Sequence, residues 1–338
     1  MALMLTPTSG GAEGWRDALV AVMPGLDVRV WPKFGDRADI DVAAVGAPPT
    51  GALRDLPNLR LIISLTAGTD GLLRDPDLPE VAIARVGAPP AGDTMMNETT
   101  LMHVMRHHRH VPEYARAQAR GEWIKMPITP ASERKVGVMG LGPIGLGAAK
   151  TLAAAGFQVA GWVRRPRSVD GIEVFNGRDG LAAFLARSEI VVNLLPLTPE
   201  TRGILGAETF KALPAGASVI NLGRGEHVVD ADLIAALDSG HLADATLDVF
   251  HVEPLPGDSP LWRHPKVTIM PHVARRLVPA ELAPRVRDII EDFRAGRPLT
   301  QLVDRARGNG QRQAKAKARA LRARALENLK LGRLEAGS

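Results

Sequence analysis

Short apolar runs separated by turn residues set the rhythm of the first hundred residues. DVRVW (27–31), VAAVG (42–46), LRLIISL (59–65) and VAIARV (81–86) each read as a strand. Pro/Gly punctuation such as GAPPTG (46–51) and helical stretches lie between them. This βα alternation predicts a small parallel sheet. A long helix is expected over roughly 94–119. The segment after it, GEWIKMPITPASERK (121–135), is irregular and polar and reads as a crossing between domains.

From Lys135 the pattern starts afresh. KVGVMGLGPIGLGAAKTLAAAGFQVAGWVRRP (135–166) reads as strand, glycine turn, helix and strand. EIVVNLLP (189–196), ASVINLG (217–223), HLADATLDV (241–249) and KVTIMP (266–271) are further buried-strand candidates, most of them separated by helical spacers. The result is a second and longer doubly wound α/β unit. The amphipathic stretch PAELAPRVRDIIEDFRAG (279–296) could return the chain to the first domain. The end of the chain, 311–338, is rich in Ala, Lys, Arg and Leu and is expected to form a basic helical tail. The domain reading is 1–97 with 275–310, then 98–274, then the tail.

Composition sets limits. A chain of 338 residues exceeds what one compact core usually holds. With 45% hydrophobic and 23% charged residues it is an ordinary globular composition. The absence of cysteine excludes disulfides and thiolate metal sites. The opening MALMLTPTSGG lacks the pattern of a secretory leader, and no apolar run is long enough for a membrane span. The expected location is the cytoplasm, with no membrane partner. The net charge of +5 hints at nucleic acid, but residues 311–338 alone carry +6 and leave 1–310 at −1. A basic nucleic-acid face on the body of the protein is therefore not expected.

The chemistry begins at Gly140-Leu141-Gly142-Pro143-Ile144-Gly145. An apolar strand enters this G-x-G-x-x-G and an alanine-rich helix leaves it. The first glycine allows a tight turn, the second a close approach of backbone to a pyrophosphate, the third close helix–strand packing. Pro143 suits a first helical turn, and the helix N-terminus turns free N–H groups to the phosphates. An NAD site usually carries an acid about 20 residues further on, for the ribose hydroxyl. This chain instead has Gly161-Trp162-Val163-Arg164-Arg165-Pro166-Arg167. Arg164, Arg165 and Arg167 can grip a 2′-phosphate, which favours NADPH/NADP+. In the alternative they form a solvated loop, and NADH binds as well.

Three further groups follow candidate strands of the second unit: Arg224, Glu253 and His272. Ligands of doubly wound sheets bind at the carboxyl ends of strands. A lone histidine or arginine after a strand is usually structural. Together these three fit hydride reduction of a ketone beside a carboxylate. His272 would be the general acid, Glu253 would orient its ring, and Arg224 would hold the carboxylate and polarise the ketone. The charge of Arg224, between Gly223 and Gly225 at the end of an apolar strand, would then find its partner in the substrate. His103, His107, His108 and His110 lack a metal-site pattern, so no metal is expected.

At these residues the sequence resembles the D-isomer-specific 2-hydroxyacid dehydrogenases. LLPLTPETRGIL (194–205), VINLGRGEHVVDADLIAALDSG (219–240), LDVFHVEPLPGDSPLW (247–262) and HPKVTIMPHVA (264–274) carry the likeness, which covers nearly all of 40–310. LPAGASVINLGRGEHV, SPLWRHP and VDRARG further resemble the glyoxylate/hydroxypyruvate reductase A branch. The resemblance implies two Rossmann-like doubly wound parallel-sheet α/β domains with the active site in a hinge cleft that closes, usually in a homodimer. It implies reduction of small 2-keto acids with NADPH, and Arg224, Glu253 and His272 as the catalytic set. It also implies cofactor contacts from Leu195, Pro196, Thr201, Leu222, Gly223, Asp248, His272 and Ala274. Ala67 and Gly68 match the loop whose amides bind the substrate carboxylate, together with Arg224 and His272.

Two departures stand out. Arg275-Arg276 follow His272-Val273-Ala274, where many relatives carry small residues; they either favour a more acidic substrate or face solvent. The VGAPP segment (45–49) lacks the tryptophan expected near the pocket. A phosphoglycerate- or lactate-type dehydrogenase and a non-catalytic NAD(P)-sensing regulator stay open as alternatives.

Overall fold

The computed structural model describes residues 2–6, 11–66, 68–87 and 93–305. They form two compact units, divided before Pro90 and after Arg275. The first unit holds strands β1 (Ala2–Leu5), β2 (Asp27–Val30), β3 (Ile40–Val45), β4 (Leu61–Ser64) and β5 (Ala82–Arg85). All pairs are parallel, in the order β2-β1-β3-β4-β5. β1, β3 and β4 are buried along their whole length. Both faces of these strands are covered, so they appear in the sequence as unbroken apolar runs. The sequence reading missed β1, whose four residues ALML open the chain without a turn signal ahead of them. Helix α1 (Ala12–Val22) buries Trp15 and Leu19 against the sheet, and the short α2 (Asp70–Leu73) follows β4.

The second unit starts with α3 (Thr94–His108) and α4 (Val111–Ala119). The sequence predicts one helix here, and the structure breaks it. His110 takes a left-handed backbone, φ 55°, and Pro112 sits in the first turn of the new helix, where it owes no hydrogen bond. The segment after α4 is irregular, as read, but it lies inside the second unit and is no crossing between domains.

Strands β6 (Lys135–Met139), β7 (Gln158–Val163), β8 (Glu173–Asn176), β9 (Ile190–Asn193), β10 (Ala217–Asn221), β11 (Leu242–Leu247) and β12 (Val267–Ile269) then form one parallel sheet. Their order is β12-β11-β10-β9-β6-β7-β8. This is the dinucleotide-fold order with one added edge strand, and it reverses direction between β6 and β9. β8 escaped the sequence reading because it is a four-residue edge strand with exposed ends. Side chains alternate between two cores: Val191 and Val219 on one face, Val192 and Ile220 on the other. Helices α5 (Pro143–Ala154), α6 (Gly177–Arg187), α7 (Ala207–Ala212) and α8 (Asp230–Asp238) complete the unit. Helix α9 (Pro279–Arg294) then rejoins the first unit, where Leu282, Val286 and Ile290 enter its core. The expected basic tail, 311–338, lies outside the described residues.

Candidate functional site

The three glycines of the G-x-G-x-x-G turn do different things. Gly140 has φ 92°, a region open to glycine, and its N–H donates to Trp162 O at 2.9 Å. A Cβ on Gly145 would lie 1.8 Å from Gly140 O, so only glycine lets α5 come this close to the end of β6. A Cβ on Gly142 would meet nothing within 4 Å. The backbone is thus tight on the protein side at Gly140 and Gly145 and open at Gly142. Pro143 and Ile144 begin α5 with no side-chain cap, so first-turn N–H groups remain for an anion. Leu194 O and Leu195 Cδ2, beyond β9, would lie 3.1 and 3.2 Å from a Cβ on Gly140. The loops that follow β6 and β9 therefore meet at the point where strand order reverses, and the turn fits a dinucleotide.

Beyond β7, Arg164, Arg165 and Arg167 are all exposed. Arg167 leans on the glycine turn itself, donating from Nη1 to Leu141 O at 2.5 Å. That brings one of the predicted arginines to the dinucleotide turn. The Arg164 charge acts on Glu200, an exposed carboxylate whose pKa is lowered first by a hydrogen bond from Thr198 and last by this charge. Thr201 Oγ1 donates to Pro196 O at 2.7 Å and accepts from Thr198 N at 2.8 Å, shaping the loop after β9. Leu222 and Ala274 are buried in the same apolar cluster as Leu141.

The sheet places Arg224, Glu253 and His272 after β10, β11 and β12, three neighbouring strands. His272 Nδ1 lies 2.7 Å from Glu253 Oε2. A carboxylate only accepts, so Nδ1 carries the proton and Nε2 is left for chemistry. Glu253 is fixed in turn by Phe250 N–H, which donates to its Oε1 at 2.9 Å. His272 has φ 53°, uncommon for a side-chain-bearing residue. Asp248 holds that conformation. Its carbonyl accepts His272 N–H at 2.8 Å, and its carboxylate accepts Val273 and Ala274 N–H at 2.8 and 3.1 Å. Burial raises the Asp248 pKa, and the two amides offset part of that cost. Asp248, assigned to cofactor from the resemblance, has both carboxylate oxygens on the His272 loop here.

Gly223 and Gly225 flank Arg224 for reasons of packing. A Cβ on Gly225 would lie 1.9 Å from Phe250 C, and one on Gly223 would lie 2.9 Å from both Asn193 Nδ2 and His227 Nδ1. The close approach that these glycines permit is to the protein's own chain. Gly225 also seats Arg224 beside the segment that carries Glu253. Arg224 Nη1 donates to Gly223 O at 2.8 Å. In the first unit, Gly68 follows β4 and its carbonyl accepts from Thr66 Oγ1 at 2.7 Å; Ala67 lies outside the described residues.

The sequence profile described as "D-isomer specific 2-hydroxyacid dehydrogenase, NAD binding domain" matches residues 101–274. A glyoxylate/hydroxypyruvate reductase A of Salmonella heidelberg (strain SL476) is 40% identical over 302 residues, 88% of this chain and 96% of that protein. The chain belongs to the D-isomer specific 2-hydroxyacid dehydrogenase family. A family member from Xanthobacter autotrophicus Py2, solved with NADPH and MES, is 45% identical with a TM-score of 0.86, covering 91% of this chain and 99% of that one. An NADPH-dependent glyoxylate/hydroxypyruvate reductase from Sinorhizobium meliloti, solved with NADP and sulfate, is 36% identical with a TM-score of 0.84, covering 91% and 100%.

Within this family fold, several residues outside the sequence reading support the site. Asn193 and Asn221 end β9 and β10, both fully buried. A polar residue closing an apolar strand is the signal that would have found them. His227 and Thr99, which donates to Ala274 O at 3.0 Å, gave no such signal. Of the histidine group, His107 Nε2 lies 2.9 Å from Thr246 Oγ1, and His103, His107 and His108 are buried.

Proposed function

We propose that this dehydrogenase reduces small 2-keto acids, above all glyoxylate and hydroxypyruvate, with NADPH. The observation that carries the reading is the 2.7 Å pair of Glu253 and His272, set one strand away from Arg224 in the sheet that bears the glycine turn. The names of the Salmonella and Sinorhizobium relatives give the substrate class.

The residues fit NADPH. Gly140, Gly142 and the start of α5 would hold the pyrophosphate, and Arg167 would hold the 2′-phosphate, with no acid at the end of β7 to oppose it. When bound, the cofactor supplies a hydride to the carbonyl carbon. Arg224 binds the carboxylate with charge-assisted hydrogen bonds, which orients the ketone. His272 gives its Nε2 proton to the oxygen as the carbonyl becomes an alcohol. Glu253 stabilises the imidazolium before transfer and keeps the tautomer afterwards. Asp248 keeps His272 in its left-handed backbone throughout.

The proposal includes a homodimer. Trp123 and Ile128, on the irregular segment after α4, are 93% and 76% exposed, and Met102, Met105, Val111 and Tyr114 are exposed on α3 and α4. So much apolar surface on one stretch suits a second copy of the chain. We place the enzyme in the cytoplasm; no helix among the described residues is long and apolar enough to cross a membrane.

The test is NADPH and NADH oxidation with glyoxylate, hydroxypyruvate, pyruvate and phosphohydroxypyruvate. Fast NADPH oxidation with the first two is expected. Turnover with none of the four would overturn the reading. Sedimentation of wild type and Trp123→Ala tests the dimer.

A further inference from the structure

Arg224 follows the end of β10 and opens the short turn Gly225–His227. The turn and two side chains hold the Arg224 peptide groups: its carbonyl accepts His227 N–H at 3.2 Å. The Arg224 N–H donates to His227 Nδ1 at 3.1 Å, and its carbonyl also accepts from Asn221 Nδ2 at 2.9 Å. Asn193 Nδ2 lies 2.9 Å from the same His227 Nδ1 and 2.9 Å from Asn221 Oδ1. Leu195 N–H donates to Asn193 Oδ1 and Gly223 N–H to Asn221 Oδ1, each at 3.2 Å. Those two contacts orient both carboxamides. Asn193, Asn221 and His227 are each 0% exposed.

The arrangement fixes the state of the ring. A peptide N–H and a carboxamide NH2 can only donate, so Nδ1 of His227 accepts, and the neutral ring carries its proton on Nε2. His227 is held from its own backbone too, since its carbonyl accepts Leu205 N–H at 2.8 Å. Only glycine at position 223 leaves room for the ring and for Asn193.

We propose that His227 is a positioning residue for Arg224. Its Nδ1 lone pair, with Asn221 and Asn193, fixes the Arg224 backbone and so aims the guanidinium at the substrate carboxylate. The inference rests on the reductase reading, which makes that carboxylate the ligand of Arg224. Carboxylate recognition by a guanidinium depends on the placement of a planar fork, so a backbone free to rotate would weaken substrate binding and leave the dinucleotide turn untouched. A histidine that served only to fill space would show no such selectivity.

Three variants separate these roles. His227→Asn keeps an acceptor where Nδ1 stands, His227→Gln moves it towards the Nε2 place, and His227→Leu removes it. For His227→Leu, kcat/KM for glyoxylate should fall about 10- to 100-fold, the scale seen when a partner that orients a functional group is lost. The fall should come mainly through KM, with NADPH binding by fluorescence unchanged. His227→Asn should recover most of the loss. In an Arg224→Ala chain, His227→Leu should cost nothing further. Wild-type kinetics for His227→Leu, an equal loss in the Arg224→Ala chain, or no recovery with His227→Asn would each overturn the proposal. If the leucine variant fails to fold, Asn active with Gln impaired supports it, and equal activity of those two overturns it. A wild type that turns over no keto acid sinks the reductase reading and this inference with it. An active wild type with indistinct variants sinks the inference alone.

Discussion

Arg275 and Asp93 form a buried ion pair: Nε lies 2.7 Å from Oδ2, and the side chains are 13% and 4% exposed. The contact is ionic, without hydrogen-bond alignment at Oδ2. Asp93 also caps α3, where its Oδ1 accepts Met96 N–H at 3.2 Å. The sequence left open whether Arg275 and Arg276 meet substrate or solvent. Arg276 is exposed, and Arg275 is turned inward to tie the His272 loop to α3.

Replacing Arg275 with methionine strands the carboxylate of Asp93 in the interior. The expected cost is about 3–5 kcal/mol, the range for breaking a buried pair from one side. Asp93→Asn in the same chain should return much of it while keeping the helix cap. Urea unfolding measures both. A loss under about 1 kcal/mol for Arg275→Met would place the pair among exposed bridges, which contribute little.

The glycine turn makes a paired prediction. Gly142→Ala points a methyl into open space, so the melting temperature should hold while NADPH affinity falls. Gly145→Ala drives a methyl against Gly140 O, so stability should fall by about 1–3 kcal/mol along with binding. Calorimetry beside cofactor titration separates the two. Equal effects of both variants would contradict the division of labour among these glycines.

Arg167 is the residue proposed to hold the 2′-phosphate, and so to set the cofactor preference. One of its donors is spent on Leu141 O, and the guanidinium has others to offer. Arg167→Gln should weaken NADPH binding roughly ten- to a hundredfold, as loss of a hydrogen bond to a charged group does, and leave NADH binding unaltered. Arg164→Gln should matter less, because its charge acts on Glu200 while Arg167 is the arginine that reaches the glycine turn.

Much of this was legible in the sequence, for a physical reason. Strands buried on both faces stand out as apolar runs, so β3, β4, β6, β9, β10 and β11 were found with their order of use. The glycine turn, Arg224 and Glu253 follow such strands, which is why they stand out as candidates, and His272 follows the half-buried β12. Illegible were features set by partners distant in the chain. Nothing local in Arg275 announces Asp93, and nothing in His227 announces the Arg224 backbone it supports. The helix break at His110 was hidden because Pro112 alone does not tell a restart from an ending. The glycines beside Arg224 are visible in the sequence, but what they accommodate, the Phe250 backbone and the Asn193–His227 contact, is brought there by the fold.

The histidines of α3 predict acid sensitivity. Burial pushes His103 down to about 4 and His107 to about 3, with the Arg106 charge adding to both. Both are neutral in the fold and titrate near 6.5 when unfolded. Their stabilising contribution is whole above that value and is lost as pH falls through the window between 6.5 and the folded values, because the unfolded chain takes up protons first. Each can add up to about 1.4 kcal/mol per pH unit to the slope. The stability of His103→Gln/His107→Gln should fall less steeply between about pH 6 and 4. An unchanged slope would show that other groups control it.

The central claim is that His272, held by Glu253, protonates the keto oxygen of a small 2-keto acid. The most direct measurement is kcat/KM for glyoxylate with NADPH, in wild type and His272→Ala, beside NADPH binding to each. The account predicts brisk turnover in the wild type, a loss of about 10²–10⁴-fold in the variant, and equal NADPH binding in both. A variant that keeps near-wild-type turnover, or that loses activity only because it no longer binds NADPH, would contradict it.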